Sequence, residues 1–163
     1  MKAQTHDFRD GKGPVPSHIH TKGGGWVADT ANVHDSAYIG PDARVYGNAR
    51  VSGDALVYGA ARVHDNAWVY GNARVSGNAR VYGDARVYGN TRVKRGVYTS
   101  TPTSITRSDG YMFTLQSDGS IVAGCRDFTP GEAKAHWGNP EHHKHRESMA
   151  IVTALNAIAA ERQ

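Results

Sequence analysis

From Val27 onward an aliphatic residue returns at every sixth position: Val27, Val33, Ile39, Val45, Val51, Val57, Val63, Val69, Val75, Val81, Val87 and Val93. Four residues after each, eleven of these twelve hexads carry a small residue, from Ala31 through Ala85 to Thr91; the twelfth carries Val97, which predicts that the array stops there. Stretches such as Ala43-Arg44-Val45-Tyr46 alternate small, polar, apolar, polar, the period of a short strand with one buried face. The Gly47-Asn48 that follows tolerates positive φ and predicts a corner. One such side cannot bury its valine alone. Three sides closing into a triangular coil can, and twelve hexads then make about four coils, each valine lying above the one eighteen residues earlier at roughly 4.8 Å.

The segments on either side lack this pattern. Residues 1–25 are rich in Gly, Pro, Lys and His and read as an irregular N-terminal arm with no assigned element. Residues 99–110 read as a Ser/Thr-rich linker to a small α+β domain over 111–163. There, Tyr111–Leu115 and Ile121–Cys125 predict a hairpin turned by Ser117-Asp118-Gly119-Ser120. Thr129-Pro130-Gly131-Glu132 is a capping box that starts one helix, and Asn139-Pro140 predicts the start of a second. Met149, Ile151, Val152, Leu155, Ile158 and Ala159 form its apolar stripe, giving a ββαα unit. Cys125 is read as a buried small hydrophobe rather than a nucleophile.

The array over 26–98 resembles the hexapeptide-repeat left-handed parallel β-helix family, whose repeat is an aliphatic residue, three of any kind, a Ser, Thr or Ala, and one more. The wording VYGNAR, VSGNAR, VYGDAR is most similar to repeat proteins of phages and prophages. The resemblance implies a mainly β fold, a left-handed helix of about four coils with the small domain behind it. It implies little about function, since similar helices serve acyltransferases, γ-class carbonic anhydrases and non-enzymatic scaffolds.

Charge changes the picture modestly. Nineteen Lys and Arg stand against fifteen Asp and Glu, and the excess lies in the first 98 residues; alone it is too weak to argue for a nucleic-acid polymer. A single cysteine excludes an internal disulfide, and neither a membrane-spanning run nor a signal peptide is legible, so a cytoplasmic protein, in the host cell if phage-encoded, is the expectation.

Outward residues eighteen apart share a face of the prism. The first face carries Trp26, Arg44, Arg62 and Arg80 in one row and Ala28, Tyr46, His64 and Tyr82 in the other. The second carries Asn32, Arg50, Trp68 and Arg86 beside His34, Ser52, Tyr70 and Tyr88. The third, with Tyr38, Leu56 and Tyr58, is comparatively apolar and is the expected contact of a homotrimer. Stacked arginines repel, and water, Asp neighbours and Tyr stacking, a subunit contact, or an anion held by guanidinium forks could each compensate. The expected ligand-binding residues are Arg44, Tyr46, Arg62, His64, Arg80 and Tyr82, together with Trp137, His142, His143 and Arg146 at the second helix start. His136, His142 and His145 could share a metal, but the solvated reading is preferred, and no metal or cofactor is assigned.

No loop interrupts the hexads to carry a catalytic histidine, and His34 and His64 stand thirty residues apart inside regular hexads, unlike an anhydrase site. The sequence therefore favours a non-enzymatic binding protein for an anionic small molecule, a nucleotide among the candidates, with action against host defence as its candidate role. An acyltransferase-like enzyme and a phage structural part are the alternatives.

Overall fold

The computed structural model describes residues 4–162, which fall into two compact units, Met1–Thr101 and Pro102–Gln163. The first is a parallel β-solenoid. Its strands are β1 (Thr5–Asp7), β2 (Pro14–Ile19), β3 (Trp26–Ala28), β4 (Asn32–Val33), β5 (Tyr38–Ile39), β6 (Arg44–Val45), β7 (Arg50–Val51), β8 (Leu56–Val57), β9 (Arg62–Val63), β10 (Trp68–Val69), β11 (Arg74–Val75), β12 (Arg80–Val81), β13 (Arg86–Val87), β14 (Arg92–Val93) and β15 (Val97–Tyr98). Every third strand pairs in parallel: β3, β6, β9, β12 and β15 form the first face, β4, β7, β10 and β13 the second, β5, β8, β11 and β14 the third. The register keeps the eighteen-residue step, with Val45 on Val63 and Val63 on Val81.

The core is the aliphatic and small ladder expected from the hexads. Val27, Ile39, Val45 and the eight later valines from Val51 to Val93 are fully out of solvent, and the alanines from Ala37 to Ala85 are likewise sealed. Val33 is the partial exception, half-buried in the first coil. Fully burying a valine is worth about 1.5–3 kcal/mol, so the ladder dominates the unit's stability. Backbone bonds run from coil to coil beside each buried residue, as in Arg44 N–H to the Ala61 carbonyl at 3.0 Å and Tyr46 N–H to the Val63 carbonyl at 3.0 Å.

Corners decide whether the coil closes. In the later coils the residue two beyond each valine sits at positive φ, from Gly47 at 67° to Gly89 at 61°, and Asp65 occupies the same slot at 56°. A Cβ on Gly53 would approach the Gly71 backbone nitrogen to 2.9 Å, so glycine is required there both by φ and by the next coil.

Within the described residues 4–25 the chain forms two strands where its composition suggested an irregular arm. β1 and β2 form an antiparallel hairpin, and β2 pairs antiparallel with β3, extending the first face. Phe8, 1% exposed, packs with Ala28 and Tyr46 and holds the hairpin on the coils. The loop that follows covers the first rung of the third face: Ile39 N–H donates to the Lys22 carbonyl at 3.0 Å and Gly25 N–H to the Ile39 carbonyl at 2.9 Å.

At the other end Val97 is indeed where the hexad fails. Arg80 pairs with Val97 and Val81 with Tyr98, so the last side is one residue short, Val97 points outward at 46% exposure, and Tyr98 fills the core slot.

The second unit is a four-stranded antiparallel sheet, β16 (Ser104–Thr106), β17 (Met112–Leu115), β18 (Ile121–Ala123) and β19 (Arg126–Phe128), with helices α1 (Pro130–Gly138) and α2 (His145–Ala160). The hairpin read from the sequence is its centre. The expected linker contributes β16, whose Ser104 hydroxyl bonds the Thr114 hydroxyl at 3.1 Å. Gly124 at φ 59° turns the chain two residues earlier than expected, so Cys125 lies exposed in the β18–β19 turn rather than buried in a strand. The capping box of α1 is present. Asn139-Pro140 ends α1 instead of starting α2, because the residue before proline is driven to extended backbone, here φ −68° and ψ 119°. Phe113, Leu115, Phe128, Trp137, Val152 and Leu155 make the core.

Substituting Gly53→Ala should lower the thermal midpoint of the solenoid, since the left-handed backbone alone costs an L-residue about 1–2 kcal/mol and the Gly71 contact adds to it. Gly89→Ala shares the positive φ but has no atom within 4 Å of the added carbon, so its loss should be the smaller. Equal midpoints for the two variants by circular dichroism would refute the crowding argument.

Candidate ligand-binding groove

On the first face the row expected to bind ligand through its aromatics is instead stacked upon itself. The ring of Phe8 lies 4.9 Å from Tyr46, Tyr46 4.6 Å from His64, and His64 4.8 Å from Tyr82, all within 25° of parallel. The coil spacing imposes this, since planar side chains in register on adjacent parallel strands stand one ring thickness and a little more apart. Tyr46 is 6% exposed, and burial, against the pull of Arg62, pushes its phenol pKa up. His64 Nδ1 lies 3.1 Å from Asp65. Burial works to raise the Asp65 carboxyl, but the hydrogen bond and charge of His64 and the Gly83 N–H leave its pKa lowered.

The arginine row beside it is in register, Arg44 against Arg62 and Arg62 against Arg80. It is graded in exposure: Arg44 and Arg62 are half-buried, Arg80 exposed. Arg44 Nη1 donates to the Phe8 carbonyl at 3.5 Å, so the N-terminal hairpin supplies part of the compensation that the stacked charges need.

The second face holds an open groove of about 920 Å³. Its floor is the row Asn32, Arg50, Trp68 and Arg86, with Ser52 across from it; its wall is the corner row Thr30, Asn48, Asn66 and Asp84. The Trp68 ring is sandwiched between two guanidiniums, Arg50 at 5.4 Å and Arg86 at 5.5 Å from its centre. Cation–π contact positions each arginine over a face of the indole, and the guanidinium N–H groups can still donate to a partner. Thr30 donates to the Gly47 carbonyl at 2.6 Å, and the Asn66 amide to Asp84 at 3.4 Å. Sequence reasoning placed Asn32, Arg50, Trp68, Arg86 and Ser52 on one face but passed over them for the three-arginine row and did not place the corner residues; the Arg-Trp-Arg spacing of eighteen residues was the available signal.

In the second unit the expected residues separate. Trp137, 2% exposed, packs against Phe113 at 4.8 Å and Phe128 at 4.6 Å and serves the core, not a ligand. His142 stands edge-on to His136 at 4.7 Å, whereas His145 Nδ1 turns to the Trp137 carbonyl at 2.7 Å, so the three imidazoles do not converge. Among the described residues no group of three or more His, Cys, Asp or Glu is placed to hold a metal. His143 and Arg146 are exposed. The cationic start of α2 already has anions beside it: His143 lies 3.9 Å from Asp109, Lys144 3.8 Å from Glu147, and Glu147 accepts from Ser108. The sequence reading missed Arg107, which is 7% exposed, clasps Asp109 bidentately at 2.9 and 2.7 Å, and donates to Ser148 at 2.9 Å. That clasp holds the Asp109 carboxyl far below the usual carboxylate range.

A family model described as the YdcK β-solenoid repeat matches residues 43–59, 49–65, 67–81 and 79–95. No curated protein and no solved structure matches the chain. The chain is a repeat β-solenoid of about four turns followed by two C-terminal helices, and none of its described helices is long and apolar enough to cross a membrane.

His6 stacks on Trp26 at 4.3 Å with its Nε2 sealed and unpartnered, and burial, then Arg44, lowers its pKa below the ordinary imidazole value. A lowered histidine pKa favours the neutral form in the folded state, so this contribution is whole above the unfolded pKa of about 6.5 and is lost as pH falls below it. The hairpin should therefore be cleaved faster by a protease at pH 5.5 than at pH 7.5. His6→Phe keeps the stack and the other histidines and should flatten that dependence; an unchanged pH dependence would refute it.

Proposed function

We propose that the chain is a non-enzymatic binding protein that captures an anionic ligand in the second-face groove, a phosphate-bearing small molecule being the first candidate. The Arg50–Trp68–Arg86 sandwich carries this reading. Two guanidiniums are pre-oriented by one indole, so little side-chain freedom is lost when an anion docks. The groove is of the size of small-molecule sites, and hydroxyl and amide groups surround the charges. The first-face row Arg44, Arg62 and Arg80 is the secondary site, and His143 and Arg146 a weaker third, given the carboxylates already beside them.

In this proposal the solenoid coils to the left, as in the hexapeptide-repeat family, and the protein is a cytoplasmic homotrimer of phage origin that sequesters a host component, a nucleotide among the candidates. Leu56 and the 38%-exposed Tyr58 on the third face support the trimer contact. His64 supports binding over acyl transfer, since its ring is held between Tyr46 and Tyr82.

Thermal-shift screening with inorganic phosphate, nucleotides and sugar phosphates at low salt tests the reading. Stabilisation should appear, weaken as salt rises, fall when Arg50 and Arg86 are both replaced by Ala, and persist in Arg62→Ala and Arg146→Ala. No stabilisation by any anion rejects the function; loss confined to Arg62→Ala moves the site to the first face. Light scattering at micromolar concentration should give the trimer mass, and a monomer would reject that part.

A further inference from the structure

The second-face groove is a channel rather than a cup. Asn32, Arg50, Trp68 and Arg86 belong to four strands paired side by side, so the groove runs along the solenoid axis, across successive coils. Neighbouring strands lie roughly 4.8 Å apart, which separates the two guanidiniums by about 10 Å, with the indole between them. A compact anion reaches one of them. A chain reaches both.

The lining specifies what kind of chain. Side-chain amides of Asn32, Asn48 and Asn66 and the Ser52 hydroxyl donate and accept, and the Thr30 hydroxyl, its hydrogen on the Gly47 carbonyl, accepts, which matches ligand hydroxyls; phosphate oxygens only accept. Asp84 sits in the same groove, where it accepts from a hydroxyl and repels a backbone charged at every unit. Nucleic-acid channels need a denser run of cations and an open aromatic face for each base, and both faces of Trp68 are already taken. A peptide would want apolar side-chain pockets or a free strand edge, and this surface is the outward face of strands that pair among themselves.

We propose that the groove holds a linear acidic oligosaccharide. Its hydroxyls run along the amide wall, each sugar facing about one coil, and acidic groups on alternate sugars reach Arg50 and Arg86. This rests on the reading of the groove as an anion site and narrows it to an extended, polyhydroxylated ligand.

Calorimetry on the whole chain with di- to octasaccharides in which a uronic acid alternates with a neutral sugar, neutral oligosaccharides of the same lengths, inorganic phosphate and single-stranded DNA tests it, with Trp68 emission as a local readout. Affinity for the uronates should climb with length and level off once both arginines are spanned. Arg50→Ala and Arg86→Ala should each lower it roughly tenfold, the range of one charge-assisted hydrogen bond. Asn48→Ala should weaken the longer oligosaccharides. Unaltered unfolding midpoints in the variants exclude misfolding. Phosphate or nucleotide binding that needs Arg50, with no dependence on sugar length, overturns this proposal and leaves the anion site standing. Tighter binding of DNA overturns it in favour of a polynucleotide groove, and no binding of any probe overturns both.

Discussion

Each side of the solenoid has six residues in which to make a strand, bury an aliphatic side chain and turn, and it succeeds only if every coil follows the backbone of the coil below. The interstrand bonds of Arg44 and Tyr46 to Ala61 and Val63 allow no drift in register. A slip of one residue would turn Val45 outward and Arg44 inward. The left-handed corners at Gly47, Gly53 and their equivalents are what keep the sides equal in length. Everything on the surface, including the rings on the first face and the arginines on the second, is spaced by that same repeat.

Repetition has an electrostatic consequence. An unvaried hexad would stack like charges on like, as it does for Arg44, Arg62 and Arg80, and the chain departs from uniformity at a few positions. Trp68 interrupts Arg50 and Arg86, Leu56 precedes Arg74 on the third face, and Trp26 tops the first-face row. At Trp68 the interruption replaces repulsion between neighbours with contact on an aromatic surface. The groove on the second face is thus one outcome of a general problem in parallel repeat folds.

The solenoid was legible because its pattern is strictly local: the period of Val27 to Val93 gives strand, corner and coil at once. The N-terminal hairpin was not. Pro14-Val15-Pro16 reads as a strand breaker, yet β2 is assembled by its neighbours, the Pro16 carbonyl accepting from Asp29 at 2.9 Å and Phe8 anchoring the turn. β16 was hidden by a Ser/Thr composition whose pairing partner lies in β17. For the site, residue types and faces were readable, but depth was not. Whether the corner row Thr30, Asn48, Asn66 and Asp84 and the strand row beside it enclose a groove depends on side-chain placement, and no periodicity carries that.

The short last side, where Tyr98 takes the place of a valine, fixes more than an end point. A tyrosine in a slot cut for valine leaves no level floor on which a fifth equivalent rung could be laid, and the shifted register removes the matching ladder. The solenoid is thereby a ruler of set length. Adding or deleting eighteen residues upstream of this stop would change that length by one whole graduation without disturbing either end, so size can evolve in discrete steps while the terminating device is inherited intact.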